Sequence, residues 1–333
     1  MSELRKDPVT GRWVIVSTDR KKRASEFERE SVQIVADPLC PFCEGHEHMT
    51  PHELMATRSN GSGPNGPGWN VRVVPNQFPV LRVEGVLDRQ GEGLFDKMSG
   101  IGAHEMIIES PRHDETLATM SEAGMDAVLW AARERMRDLK QDHRFKSIIV
   151  FKNHGASAGA SPAHSHTQLV ALPIVPRDVR DELEGAEAHF LAKERCVYCD
   201  ILRQETRDGV RLVAENAEMV ALSPYASRFP FETWILPRRH QSHFEESWPH
   251  EYHALGRLIA DVLRRMNRAL ESPPYNLLIH SAPVSDQASD HYHWHVEIIP
   301  KITKLAGFER ATGCYVNPTS PEEASEVLRG VRL

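Results

Sequence analysis

A chain of 333 residues, 40% hydrophobic and 26% charged, has the length and composition of a globular protein with two domains of ordinary size. No apolar run approaches the ~18 residues of a membrane span, and a net charge of −7 argues against a general nucleic-acid binder. The opening stretch "WVIV" is too short for the h-region of a secretory signal, so a cytoplasmic protein is expected.

In chain order, the basic cluster Arg20, Lys21, Lys22 and Arg23 comes first. It reads equally as a solvated turn or as a contact for a phosphorylated small molecule. "DPLCPFCEGHEH" then sets Cys40 and Cys43 in a loop rich in Pro and His. A thioredoxin-like pair would sit between the strand and helix of a βαβ unit. This pair does not, and without a secretory signal its spacing points to zinc rather than to a disulfide. A Gly/Pro loop, "SNGSGPNGPGW" (59–69), follows. The apolar strand "IIESPRH" ends at His113, residues 114–142 carry apolar side chains at helical spacing, and "FKSIIVFKN" reads as a strand. In "GASAGASPAHSHTQLVALPIVP" (155–176), strand alternation turns His164, His166 and Gln168 to one face. Three polar groups there make a poor core and a good site, although an exposed strand edge that tolerates histidine gives the same pattern.

The remainder runs through the same order again. "CVYC" supplies Cys196 and Cys199, "TWILPRRH" is a strand ending at His240, residues 252–270 are helical, and "YNLLIHS" and "HYHWHVEIIP" are strands, the latter carrying His293. His113 precedes His164 by 51 residues and His240 precedes His293 by 53. This is an internal duplication of an α+β unit built on an antiparallel sheet with packed helices, divided at 1–180 and 181–333. Cys314 stands apart from the repeat.

Each copy offers one Cys₂His₂ set, the composition of a closed tetrahedral zinc site: Cys40, Cys43, His113 and His164, then Cys196, Cys199, His240 and His293. The alternative is that the cysteine pairs recruit nearer histidines such as His46, His48 or His243. With His164 taken as a ligand, His166 is left for chemistry. A neutral imidazole is a competent nucleophile toward phosphorus, and Gln168, Ser161 and the amides of 155–161 are candidate donors to the charged oxygens of the transferred group. The second copy has no glycine-rich run and carries Glu297 where Gln168 stands, so it reads as a degenerate copy and the first as the catalytic one.

These motifs resemble the galactose-1-phosphate uridylyltransferases of the histidine-triad superfamily, over nearly the whole chain. "DPVTGRWVIVSTDRKKR" is similar to the family's nucleotide-contacting segment, with Arg20 and Arg23 at its two arginines. "VVPNQFPVL" resembles its nucleoside loop and places Asn76 and Phe78 there. "FKNHGASAGASPAHSHTQ" resembles its active-site strand with Asn153, Gly159, Ser161, the ligand His164, the nucleophile His166 and the oxyanion-holding Gln168. "GFE" resembles its hexose-binding stretch, with Phe308 and Glu309. The resemblance implies tandem histidine-triad-like domains, two zinc ions and a homodimer whose site borrows the neighbour's C-terminal segment. It also implies ping-pong transfer from a nucleotide sugar to a sugar 1-phosphate or to inorganic phosphate, through nucleotide held on His166.

The expected activity is therefore of the UDP-glucose–hexose-1-phosphate uridylyltransferase type of galactose metabolism. Three departures concern the substrate: Asn-Gln at 76–77 where the family has Asn-Asp, H-S-H in place of H-P-H, and no glutamine in the stretch after "GFE". With the second C-x-x-C and "TGCYVNP", they resemble the branch of the ADP-glucose phosphorylases, and an ADP-sugar phosphorylase is the alternative. A zinc-stabilised nucleotide-binding protein without catalysis would show a spoiled nucleophile strand, and here the strand is intact. A histidine-triad hydrolase would carry a third histidine at position 168 to activate water.

Overall fold

The computed structural model describes residues 2–17, 24–27, 30–35, 37–58, 61–161, 163–284 and 290–333. In chain order it comprises β1 (Glu3–Lys6), β2 (Trp13–Val16), β3 (Met55–Arg58), β4 (Trp69–Pro75), β5 (Arg89–Glu92), β6 (Phe95–Met98), β7 (Ala103–Ile108), α1 (Glu122–Leu139), β8 (Ser147–His154) and β9 (His166–Leu172). There follow α2 (Arg177–Lys193), α3 (Val197–Asp208), β10 (Leu212–Glu215), β11 (Met219–Leu222), β12 (Thr233–Pro237), α4 (Pro249–Leu270), β13 (Tyr275–His280), β14 (His295–Pro300), α5 (Gly307–Thr312), β15 (Tyr315–Asn317) and α6 (Pro321–Gly330).

Ten strands form one sheet in the order β10-β11-β12-β14-β13-β8-β9-β7-β4-β3. Counted within each half, both sets of five read first, second, third, fifth, fourth. The two fourth strands, β8 and β13, pair antiparallel with Val150 opposite Ile279, so the antiparallel sheets of the two halves are continuous. Antiparallel pairing of equivalent strands is what a pseudo-two-fold axis normal to the sheet produces. A small sheet, β1-β2-β15, joins the first strands of the chain to its C-terminal segment.

Alternation along the strands sends Val71, Val73, Ile107, Val150, Leu169, Val296 and Ile298 to one face, where they are buried under α1 and α4. The long amphipathic α4 inserts Leu255, Val262 and Leu263, all with no exposure. Truncating one such leucine to alanine costs about 2–5 kcal/mol. A Cβ added at Gly256 of α4 would lie 2.5 Å from Met125 Cγ of α1, so the two helices approach closely only because that position is glycine.

The helix expected over 114–142 is shorter. It starts after Ser121, whose hydroxyl caps the Gly124 amide, because residues 116–120 spend their groups in a Thr116–Thr119 turn. That expected over 252–270 begins earlier, at Pro249, where a missing N–H costs nothing. Helices α2 and α3 were not anticipated. They cover the opposite face of the second half, with Tyr198 of α3 packed against Trp234 and Tyr292. The Cys40–Cys43 loop covers the first half with Phe42 against Trp69, Met106 and Ile108. His164, His166, Gln168, His295 and Glu297 all turn toward this second face.

Candidate active site and metal centres

Both long-range Cys/His sets come together. The donor atoms of Cys40, Cys43, His113 and His164 lie within 4.8 Å of one another, as do those of Cys196, Cys199, His240 and His293. In the first set, His164 Nδ1 is 3.6 Å from both sulfurs and His113 Nδ1 is 3.5 Å from Cys43 Sγ. In the second, Cys199 Sγ is 3.4 Å from His240 Nδ1 and 3.5 Å from His293 Nδ1. A tetrahedral zinc with its usual bond lengths puts sulfur and nitrogen about 3.5 Å apart, so the donor sets fit that ion. The rings are already oriented for it. His164 donates Nε2–H to the Ser110 carbonyl at 2.7 Å and His293 donates to Pro237 at 3.0 Å, leaving each Nδ1 bare toward the sulfurs. Of the nearer histidines, His46 donates from Nδ1 to the Cys40 carbonyl and His243 bonds Ser242.

The nucleophile candidate lies immediately past the first cluster. The His164 carbonyl can only accept, so His166 donates Nδ1–H to it at 2.8 Å and keeps Nε2 as the nitrogen with a free lone pair. Phe42 stands edge-on to the ring at 5.6 Å, and only 2% of the residue is exposed. Burial, followed by the nearby charge of Lys152, holds the imidazole pKa below its ordinary value. A neutral ring is the form that can attack phosphorus.

Beneath this strand, on its helix-facing side, Lys152 Nζ donates to both oxygens of Glu109 (3.0 and 2.9 Å), to Ser165 Oγ (2.9 Å) and to the His166 carbonyl (3.1 Å). Ser165 and Thr167 also donate to Glu109. Burial opposes ionisation of Glu109, but Lys152 and these hydroxyls outweigh it and hold the carboxyl below its usual range.

The small-residue run is a tight turn. Gly155 has φ +86, and a Cβ there would lie 2.7 Å from Val32 and 2.8 Å from Pro274. The amides of Ala158, Gly159 and Ala160, expected as donors, instead bond Gly155 and Ala156 carbonyls within the turn. Ser161 is exposed beyond it and, with Asn153 and His164, borders a cavity of about 260 Å³. Asn153 accepts from Asn276 across the pseudo-two-fold junction at 2.7 Å. Gly159, also at positive φ, would place a Cβ 3.4 Å from the Asn153 amide.

Asn76 holds its loop by accepting the Phe78 amide at 2.9 Å, and Phe78 is 82% exposed. Phe308 and Glu309 lie on α5, which packs on β15 rather than on the His166 strand. Arg20 and Arg23 lie outside the described residues. Three groups escaped the sequence reading: the Lys152–Glu109 pair, His104, which contacts both Asn76 and Gln168, and a cluster in the second half. A lone histidine in the apolar strand "AHEMII" was the one available signal, for His104.

That third cluster, Glu182, His280 and His295, also has its donor atoms within 4.8 Å of one another. Burial opposes ionisation of Glu182, yet His280 and the Tyr292 hydroxyl bring its carboxyl down to about 2. Burial likewise opposes the His280 imidazolium, while Glu182 and Glu297 raise it to about 10. The cluster is thus charged as a buried ion pair. His295 repeats the His166 device, with Nδ1–H donated to the His293 carbonyl at 3.1 Å, but it is stacked on His280 at 4.5 Å and flanked by Tyr198 and Trp234. Glu297 is bound by Arg228 and by Trp234 Nε1.

Two like-ordered five-strand units, each with an H-x-H segment beside a Cys₂His₂ set, define a duplicated α+β protein built on one continuous antiparallel sheet. The family model "Galactose-1-phosphate uridyl transferase, N-terminal domain" matches residues 1–176, and a domain of unknown function matches residues 101–330. An ADP-glucose phosphorylase of Arabidopsis thaliana is 37% identical over 99% of this chain and 93% of its own length. A galactose-1-phosphate uridylyltransferase of Thermotoga maritima is 28% identical over 99% of this chain and 98% of its own. The crystal structure of an ADP-glucose phosphorylase from Arabidopsis thaliana with bound ADP-glucose superposes with a TM-score of 0.85 at 35% identity, covering 100% of both chains. A uridylyltransferase structure gives 0.77 at 26% identity, covering 99% of this chain and 97% of the other. The chain belongs to the galactose-1-phosphate uridylyltransferase family of nucleotidyltransferases. Among the described residues no helix is long and apolar enough to cross a membrane.

Proposed function

We propose that this enzyme transfers a nucleotidyl group through His166. Nε2 attacks the α-phosphorus of a nucleotide sugar, a nitrogen–phosphorus bond forms, the bond to the bridging oxygen breaks, and sugar 1-phosphate leaves with the electron pair. A phosphate oxygen of the acceptor, a sugar 1-phosphate or inorganic phosphate, then attacks the same phosphorus and returns the pair to Nε2. The observation that carries this reading is the bare Nε2 of a buried, neutral His166 whose other nitrogen is anchored to a carbonyl. Gln168 and Ser161 donate to the non-bridging oxygens. Asn76, Phe78, Asn153, Gly159, Arg20 and Arg23 hold the nucleotide, and Phe308 and Glu309 reach the sugar from the neighbouring copy of a homodimer. In this reading residues 1–180 are catalytic and 181–333 a degenerate copy, in keeping with the enclosure of His295.

Two zinc ions, one on Cys40, Cys43, His113 and His164 and one on Cys196, Cys199, His240 and His293, would serve as structural cross-links between loops and the sheet. For the base, the 37% identical ADP-glucose phosphorylase, against 28% for a uridylyltransferase, favours ADP-sugar phosphorolysis. Uridylyl transfer to galactose 1-phosphate is the second reading, favoured by the family model over residues 1–176.

Incubation with ADP-glucose or UDP-glucose labelled at the α-phosphorus tests this. Label that is stable to base, lost in acid and absent from His166→Ala is expected, and phosphate or galactose 1-phosphate should discharge it. No label from either nucleotide, with metal present, would favour a binding protein instead.

A further inference from the structure

We propose that His104 is a positioning residue that fixes the side-chain amide of Gln168 with its NH₂ presented to the transferred phosphate. The proposal rests on the reading of Gln168 as a donor to that phosphate. In the register of β7 with β9, His104 faces Val170 and Met106 faces Gln168. His104 and Gln168 therefore share a face of the sheet as diagonal neighbours, within reach of a ring and a long side chain.

The proton on His104 is assigned by its partners. The Val80 backbone N–H, which can only donate, points to Nδ1 at 3.3 Å. Nδ1 is then the bare nitrogen, and the single proton of the neutral ring sits on Nε2. That Nε2–H meets Gln168 Oε1 at 2.9 Å.

Turning the Gln168 amide over would set N–H against N–H at this distance and leave a donor on a residue only 9% exposed without an acceptor, a costly arrangement. His104 thus occupies the amide oxygen and directs the two N–H groups elsewhere. This matters because the oxygens of a phosphoryl group only accept. A glutamine presenting its own oxygen would repel the developing charge instead of stabilising it. The Asn76 NH₂ also stands 3.1 Å from Nε2 and can only donate, so it competes with the Gln168 oxygen for that nitrogen. The Val80 backbone N–H, which cannot turn over, decides for a protonated Nε2. The Asn76 hydrogens are then left to Met106 Sδ at 3.4 Å, while Oδ1 accepts the Phe78 amide. His104 acts through Gln168 and requires no contact with substrate.

Single-turnover labelling of the protein by an α-phosphorus-labelled nucleotide sugar tests the proposal in His104→Phe, Gln168→Ala and the double variant. If Gln168→Ala slows labelling about 10²-fold, as loss of an oxyanion donor does, His104→Phe should slow it about tenfold. The His104 change should then add less than twofold in the Gln168→Ala background, because the residues act as one unit. Equal slowing in both backgrounds would show a merely structural role, and a His104→Phe rate equal to wild type would show none; either overturns the proposal. A Gln168→Ala variant as fast as wild type would instead remove the underlying reading of Gln168. Should His104→Phe fail to fold, nitrogen-15 NMR of the wild-type protein decides. A bare Nδ1 and protonated Nε2 on His104 are expected, and a protonated Nδ1 overturns the assignment.

Discussion

Replacing Lys152 by methionine removes the cation beneath the His166 strand while keeping most of the side-chain volume. Lys152 and Glu109 have side-chain exposures of 1% and 0%, so no water replaces the lost partner. The substitution leaves the Glu109 carboxylate with only the Ser165 and Thr167 hydroxyls as donors among its partners named above. Removing one member of a buried pair costs about 3–5 kcal/mol, mostly the penalty of the orphaned charge, whereas replacing both members is near neutral. Glu109 is held below its usual range in the folded protein, so its contribution is full above the unfolded-state pKa of about 4.3 and fades as pH falls through the folded value. The loss in Lys152→Met should therefore be greatest near neutral pH and shrink toward pH 4, where the orphaned carboxyl takes up a proton. Urea unfolding followed by circular dichroism reads this. The double variant Lys152→Met/Glu109→Gln should recover stability to within about 1–2 kcal/mol of wild type at pH 7. A single-variant loss under about 1 kcal/mol, or a double variant as unstable as the sum of the single changes, would refute the account. Because Lys152 also holds the His166 carbonyl, the single variant should label more slowly with nucleotide even where it is fully folded.

Elemental analysis should find two zinc ions per chain, with His113→Ala and His240→Ala each losing about one equivalent and several kcal/mol of stability; wild-type protein free of metal would refute this. His280, raised to about 10 beside Glu182 at about 2, should remain an imidazolium at pH 8 by nitrogen-15 NMR. The pair's contribution should be full between about pH 4.3 and 6.5, the unfolded-state values. It should fall away as pH drops through about 2 or rises through about 10, and a neutral ring at pH 8 would contradict it. Sedimentation of the protein should show a dimer, and a monomer at assay concentration that still turns over would rule out a site completed by Phe308 and Glu309 of a neighbour.

The sequence by itself determined the features that rest on residue type and order. Two C-x-x-C pairs, each followed by a strand ending in His and then by H-x-H, announced the duplication and both donor sets. The chemistry of thiolate and imidazole admits few other uses for that pattern, and alternation in "HSHTQ" already put His166 and Gln168 on one face. The continuity of the two sheets was decided by tertiary structure, because pairing of β8 with β13 is a choice between surfaces that local pattern does not encode. Partners outside the repeated motif were hidden: Lys152 meets Glu109 across 43 residues and Glu182 meets His280 across 98, and neither pair recurs in the two halves as the Cys/His sets do. The proton on His104 depends on an amide of Val80 and a side chain on a neighbouring strand. Burial, which keeps His166 neutral and encloses His295, is likewise a property of what packs above a residue, and only the folded chain supplies it.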